Sequence, residues 1–361
     1  MADEPGSKSF QNFLLAWAVV ASLAALALAV TTVFLLLRPA KQPSTAASSS
    51  ARPKNIAATN RVAAPLSAAD TAPAPPADDR EKPTTAFSAL PRGIQTFDGV
   101  TFQIRGPVNI IGTRAAMAGG RELAKISNQP VTGRGKRIHV LHSGDHGSSA
   151  NGAFIWRLVL HYADGESKRF DFAYAVHIRN YWWRPNQGED ELSDPNSSIT
   201  WTGTSMESDR KGARLRLSRT TLLNPKPEVD VRSADYVSLL GQSSAYVFAV
   251  TLSDDGPTPV ATEPLAAPNV SLLPFLLQSV EDVPEKDASL SCVFECNGFA
   301  VRCDQAPADA TGRIILDVPT DVVSVIGYTA RSSAGLVRAG SIEVASNAKV
   351  PGEQLLRFSV E

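Results

Sequence analysis

Residues 154–174, FIWRLVLHYADGESKRFDFAY, constrain the fold of this chain more than any other stretch. Trp156, Leu158, Leu160 and Tyr162 recur at every second position while Arg157 and His161 fall between them, which is the period of a half-buried strand. Ala163-Asp164-Gly165-Glu166 centres on an Asp-Gly hairpin signal, and Phe170, Phe172 and Tyr174 carry the apolar face onto the return strand. The same alternation returns along the chain. Phe97, Val100, Phe102 and Ile104 open it, VNIIG follows at Val108 to Gly112, and Ile138 and Val140 alternate with Arg137 and His139. Leu215 and Leu217 alternate with Arg214, Arg216 and Ser218, and YVFAVTL closes the pattern at Tyr246 to Leu252. Short strands broken by Gly, Asp, Asn and Pro, with no long amphipathic helix, predict an all-β chain whose main domain, residues 91–253, is an antiparallel sandwich of jelly-roll type.

The rest of the chain divides by composition. A short tail, residues 1–12, precedes Phe13 to Leu37, 25 residues without a charge; as a helix they would reach about 37 Å, more than the ~30 Å hydrocarbon core. That length predicts an uncleaved transmembrane helix. The rival is a cleaved signal peptide, since Ala27-Leu28-Ala29 resembles a cleavage triplet, but the apolar run continues past it. Residues 38–90 are rich in Ala, Pro, Ser and Thr and hold few residues able to build a core, so they read as a disordered tether spanning roughly 40 Å as a flexible coil. Residues 254–268, DDGPTPVATEPLAAP, read as a second linker, and residues 269–361 alternate again as a smaller antiparallel sandwich.

Orientation is contested by the charges. Lys8 alone precedes the apolar run while Arg38, Lys41, Arg52 and Lys54 follow it, which by the positive-inside rule would keep the C-terminal side in the cytoplasm. Long domains translocate largely regardless of flanking charge, and the expectation is a single-pass membrane protein with its C-terminal domains periplasmic or extracellular.

Several blocks carry a resemblance: LPRGIQTFDGVTFQI, GKRIHVLHSGDHG, WRLVLHYADGESKRFDF, HIRNYWW and LRLSRTTLLNPKPEVDVRSADYVSLLGQSSAYVFAVTLSD. In that order they resemble a β-sandwich module of membrane-attached and secreted bacterial proteins, notably of the Planctomycetes and Verrucomicrobia, similar in turn to galactose-binding-like folds such as the NPCBM carbohydrate-binding group. The resemblance implies a jelly-roll, galactose-binding-like domain but supplies neither a ligand nor catalytic residues. TGRIILDVPTDVVSVIGYTARSSAGLVRAGSIEV is similar to small prealbumin-like, carboxypeptidase-regulatory-like sandwiches, which sets the expectation for the last domain.

Candidate functional residues are few. Tyr181, Trp182 and Trp183, flanked by Arg179 and Arg184, form the leading ligand platform, because sugar rings stack C–H faces on aromatic rings while polar neighbours bind hydroxyls. Adjacent residues of a strand face opposite ways, so one tryptophan is expected in the core and the other exposed, or sheltered by the Pro185 to Pro195 loop; the competing reading packs both. His142, Asp145 and His146 in HSGDH could hold a metal, although the spacing fits no established metal motif and a plain surface loop is the alternative. If Asn297-Gly298 is a two-residue turn, Cys292 falls opposite Cys303 in a hydrogen-bonded register; a disulfide and two buried thiols are both open there, and Cys296 is left over. The acidic run Gly188 to Asp194 reads as a solvated loop. No GxSxG, Walker loop, HExxH or strand-to-helix GxGxxG is present, so no catalytic residue and no cofactor are assigned. Charged residues make up 20 % with a net charge of -1, which leaves no cationic excess to displace counterions from nucleic acid. The expected role is an extracytoplasmic binding protein that recognises a glycan or cell-envelope component; the alternative is a protein-interaction or regulatory membrane component with no small ligand.

Overall fold

The computed structural model describes residues 87–90, 92–145, 150–185, 191–263, 265–296, 298–305, 307–344 and 353–358. Residues 13–37 and residues 38–86 of the expected tether lie outside them; its last four residues, 87–90, belong instead to the first domain, with Phe87 and Leu90 buried in a core cluster. Among the described residues no helix is long and apolar enough to cross a membrane. Strands account for 55 % of the described residues against 4 % helix, so the described part of the chain is all-β.

The first domain opens with the hairpin β1 (Gly93–Phe97) and β2 (Val100–Ile104), then β3 (Val108–Ile110), the one-turn helix α1 (Thr113–Met117) and β4 (Lys125–Gln129). β5 (Arg137–Asp145), β6 (Phe154–Tyr162), β7 (Ser167–Ala173), β8 (Trp182–Trp183) and β9 (Ser197–Gly203) follow, and after a second short helix, α2 (Met206–Arg210), come β10 (Arg214–Leu223), β11 (Val231–Ser238) and β12 (Ser244–Ser253). One sheet runs β3-β12-β5-β10-β8 with β9 also on β10, and the other β4-β11-β6-β7. Every pairing among these is antiparallel.

The hairpin seen in the sequence forms as read. Tyr162 N–H donates to the Glu166 carbonyl, Gly165 takes φ 87°, and Leu158 pairs with Phe170 and His161 with Ser167. A side chain at Gly165 would strain that left-handed conformation. Trp156, Leu158, Leu160, Tyr162, Phe172 and Tyr174 all enter one core cluster with Ile138 and Val140, and the Trp156 and Phe172 rings stack 4.3 Å apart.

The domain has three layers rather than two. β5 is buried along nearly its whole length, because both its faces are covered. Its even positions, Ile138 and Val140, meet the second sheet; Leu141 meets a separate cluster of Val100, Phe102, Ile104, Leu217, Tyr246 and Phe248 supplied by the β1–β2 hairpin and the outer side of the central sheet.

The second domain comprises β13 (Val270–Ser279), β14 (Ser289–Cys296), β15 (Phe299–Asp304), β16 (Arg313–Pro319), β17 (Val323–Arg331), β18 (Val337–Glu343) and β19 (Gln354–Phe358). They form the sheets β16-β13-β19 and β15-β14-β17-β18, with β19 parallel to β13. The start of the expected linker is tied to the first domain. The Asp254 carboxylate accepts from Lys136 N–H at 2.8 Å, Thr258 Oγ1 accepts from Arg137 at 2.7 Å, and the Asn196 amide clasps Val260 through both its backbone N–H (2.7 Å) and its carbonyl (2.9 Å).

The two sandwiches belong to one compact unit and share a core: Ile111, Ala116, Ala124 and Leu240 of the first join the cluster of the second. The second domain covers the outer face of the β4-β11-β6-β7 sheet, where alternation puts the charged residues. Arg157 reaches Asp171 at 2.5 Å and Asp317 at 2.9 Å, Arg169 reaches Asp317 at 3.3 Å, and Lys125 lies 3.1 Å from Asp235 and 2.7 Å from Gln305 Oε1. The backbone of β4's approach joins β15 directly, Ala124 N–H to the Arg302 carbonyl at 2.8 Å.

Candidate functional site

The tryptophan pair sits where the central sheet opens at one end of the first sandwich. β8 pairs with the start of β10, Trp182 opposite Leu215 and Trp183 opposite Arg214, and directly opposed residues share a face. Trp182 therefore lies on the side of fully buried Leu215, its ring capped by the Lys211 ammonium 5.5 Å from the centroid. Trp183 faces the other way, with the Arg216 guanidinium 5.3 Å from its ring. The opposite facing expected of adjacent strand residues is present; both rings are half-buried, neither fully in the core, and Trp183 shares its cleft with Glu191 and Leu192 of the loop expected to shelter it.

Trp183 walls a cleft of about 460 Å³, within the range of small-ligand sites. Leu192 and Ile199 complete its apolar surface, and Ser197, Thr202, Arg216 and Glu191 supply polar groups. The loop holding Glu191 and Leu192 is pinned from behind: Arg179 Nε donates to the Glu191 carbonyl at 3.0 Å, and Ser193 and Asp194 N–H groups donate to the Ala175 and Val176 carbonyls. Asp194, expected in a solvated acidic loop, is buried at 7 % exposure and receives the Ser197 hydroxyl at 2.7 Å; residues 186–190 of that run lie outside the described residues.

Behind Ser197 runs a file of buried polar side chains. Ser197 Oγ lies 2.8 Å from Thr220 Oγ1, and Thr220 Oγ1 lies 2.9 Å from His142 Nε2. Asp194 also lies 4.0 Å from His177 Nε2. His142 is fully buried, edge-on to Phe172 and Trp156 at 5.0 and 5.8 Å; burial first, and His177 second, push its pKa down to about 3. His139, on the opposite side of β5, bonds Thr221 and the Asp255 carbonyl, and burial lowers it to about 4.

No family model, curated protein or solved structure matches this chain.

The remaining candidates separate. Tyr181 packs with Phe87 at 5.0 Å and Tyr246 at 5.7 Å in the outer layer, so it serves the core rather than a platform. Arg179 braces the cleft loop, and Arg184 is exposed just beyond β8. The metal constellation is not assembled: three positions apart on a strand, His142 and Asp145 leave on opposite faces of β5, and the Asp145 carboxylate instead accepts from Tyr246 OH at 3.0 Å. His146 lies outside the described residues, among which no metal-ligand cluster occurs. Nor is His142 on a surface loop. Cys292 does pair with Cys303, and Cys296 with Phe299, as the turn arithmetic requires; but all three cysteines are free and buried. A hydrogen-bonded cross-strand pair sets its Cα atoms about 5.5 Å apart, and here the Cys303 sulfur instead faces Gln305 Nε2 at 2.9 Å.

Arg216, Ser197, Thr202 and Ile199 were not legible as site residues. The one signal was LRLSRT itself, a strand whose polar positions are as regular as its apolar ones. Only the burial of Arg216, Ser218 and Thr220 distinguishes it from an ordinary solvated face.

Proposed function

We propose that this chain is a membrane-tethered recognition protein that binds a saccharide of the cell envelope in the Trp183 cleft. The single observation carrying the reading is the cleft: an aromatic ring and two aliphatic side chains beside hydroxyls and a carboxylate, the amphipathic lining that a sugar ring matches. Phe13 to Leu37 would be the anchor and residues 38–86 the reach, with the sandwiches outside the cytoplasm. The chain's passage from one sheet to the other at β3, β4, β5 and β6, and again at β10, β11 and β12, supports a jelly-roll, galactose-binding-like first domain. For the second, two small antiparallel-rich sheets support the prealbumin-like reading. The test is isothermal calorimetry of the full-length protein in detergent with isolated envelope polysaccharides. Binding that falls at least tenfold in Trp183→Ala, with the folded state intact by circular dichroism, is expected; absence of binding to any envelope polysaccharide would sink the saccharide reading.

A further inference from the structure

The inner end of the same cleft has a hydrogen-bonding polarity that can be worked out from the side chains behind it. Ser197 has one hydroxyl proton, and it goes to the Asp194 carboxylate. In the Ser197–Thr220 contact Thr220 must then be the donor. Three acceptors lie within reach of the single Thr220 proton, Ser197 Oγ, the His177 carbonyl at 3.3 Å and His142 Nε2; the Ser197 and His142 contacts are both made only if that proton goes to Ser197, and none is then left for His142. His142 Nε2 therefore donates to Thr220, and Nδ1 carries a lone pair.

That Nδ1 has no hydrogen-bond partner, and neither has Ser218 Oγ. The two residues are 0 % and 1 % exposed and are directly paired across β5 and β10, so they share one face. On its other side Ser218 pairs with Ile199, and along β10 it stands between Arg216 and Thr220. Arg216, Ile199 and Ser197 line the cleft. Ser218 and His142 do not line the cleft themselves, but Ser218 neighbours its wall residue Ile199 across the sheet and Arg216 along β10. Buried polar groups are rarely left without partners, since each costs free energy.

We propose that the cleft selects a neutral ligand whose hydroxyl passes between Arg216 and Ile199, accepts from Ser218 Oγ and donates to His142 Nδ1, and that it rejects anionic rings. This rests on the saccharide reading above. A carboxylate or phosphate cannot donate to Nδ1 and would face the Asp194 carboxylate behind Ser197 and the Glu191 carboxylate at the rim. The Arg216 cation, which would favour an anion, is engaged: its Nε donates to the Asn180 carbonyl at 3.0 Å and its plane lies over Trp183.

The test titrates full-length protein in detergent with neutral hexose trisaccharides (maltotriose, cellotriose) and with trigalacturonic acid, following tryptophan fluorescence and the ¹⁵N shift of His142 Nδ1. The expected results are Trp183-dependent binding of a neutral trisaccharide, at least tenfold weaker binding of the uronate, and an Nδ1 shift on saturation. Ser218→Ala removes a hydroxyl without a partner, so it should leave the melting temperature unchanged while weakening neutral-sugar binding about fivefold, the worth of one neutral hydrogen bond. Wild-type affinity in Ser218→Ala, an unmoved Nδ1 shift, or uronate binding as tight as neutral binding would overturn the inference and leave the cleft a saccharide site. Absence of Trp183-dependent binding to every trisaccharide would remove both.

Discussion

Arg157 holds two carboxylates at once, Asp171 on the neighbouring strand and Asp317 on the other domain; its contact to Asp317 is buried and its two to Asp171 are partly so. Burial alone would lower its pKa; the two acids outweigh that and raise it. Removing one partner of such a buried cluster leaves an uncompensated charge, so Asp317→Ala should cost about 3–5 kcal/mol in urea unfolding, whereas an exposed pair such as Arg302–Asp304 should cost under about 1 kcal/mol. The histidines set an acid limit. His139 and His142 have folded pKa values of about 4 and 3, below the ordinary 6.5, so the unfolded chain binds their protons first. Stability is complete above pH 6.5 and falls as pH drops toward 4, by roughly 1.4 kcal/mol per pH unit for each histidine. Denaturant midpoints between pH 7 and 4 should show this slope, and His139→Gln should remove its share while leaving those of His142 and His177, which burial also lowers. Asp235 adds a later loss: burial opposes its ionisation, but His161 and Lys125 hold it down to about 2, so its contribution persists above the unfolded value near 3.9 and disappears as pH falls through 2.

At the scale of elements, the β14–β15 hairpin sets Cys292 opposite Cys303 at a spacing that a disulfide spans, yet both are free thiols. Its two-residue turn makes every second pair hydrogen-bonded, and Cys292–Cys303 is such a pair. Burial pushes the Cys292 thiol up to about 12 and raises Cys303 as well, which suppresses the thiolate that would react. Native protein should therefore resist an aromatic disulfide reagent, and guanidinium without reductant should release three thiols; release of one would mean that a disulfide had formed. β8 teaches a related lesson. Only two residues long, it pairs with β10, and the segment that leads into it is tied to Gly144, whose N–H donates to the Arg179 carbonyl and whose carbonyl accepts from Tyr181 N–H. A side chain at 144 would press on the Arg179 backbone at 3.2 Å, so Gly144→Val should displace β8 and weaken ligand binding at Trp183 more than it lowers the melting temperature.

For the whole molecule, the consequence of the shared core is cooperativity. The outer face of the β4-β11-β6-β7 sheet carries Lys125, Arg157, Asp235 and Asp171, a pattern that alone reads as a solvated face, and the second domain lies on it. Calorimetry should show one transition for residues 87–361 within the full chain, and Asp317→Ala should broaden it or split it in two. Truncation after Pro268 should expose Ala124 and Leu240 and lower the melting temperature by more than any single substitution named above. What the sequence by itself determined was local: the period-two alternation of Trp156 to Tyr162, the Asp-Gly turn, the opposite facing of Trp182 and Trp183, and the pairing of Cys292 with Cys303. Each depends on a spacing along the chain and on backbone stereochemistry. What only the tertiary structure decided was which faces meet: that His142 and Asp145 point apart, that Asp194 is buried, that Arg216 and Ser197 line a cleft, and that charged positions are covered by a second domain. Alternation assigns a residue to a face but not the neighbour that face will find, because burial is set by contacts between segments far apart in the chain.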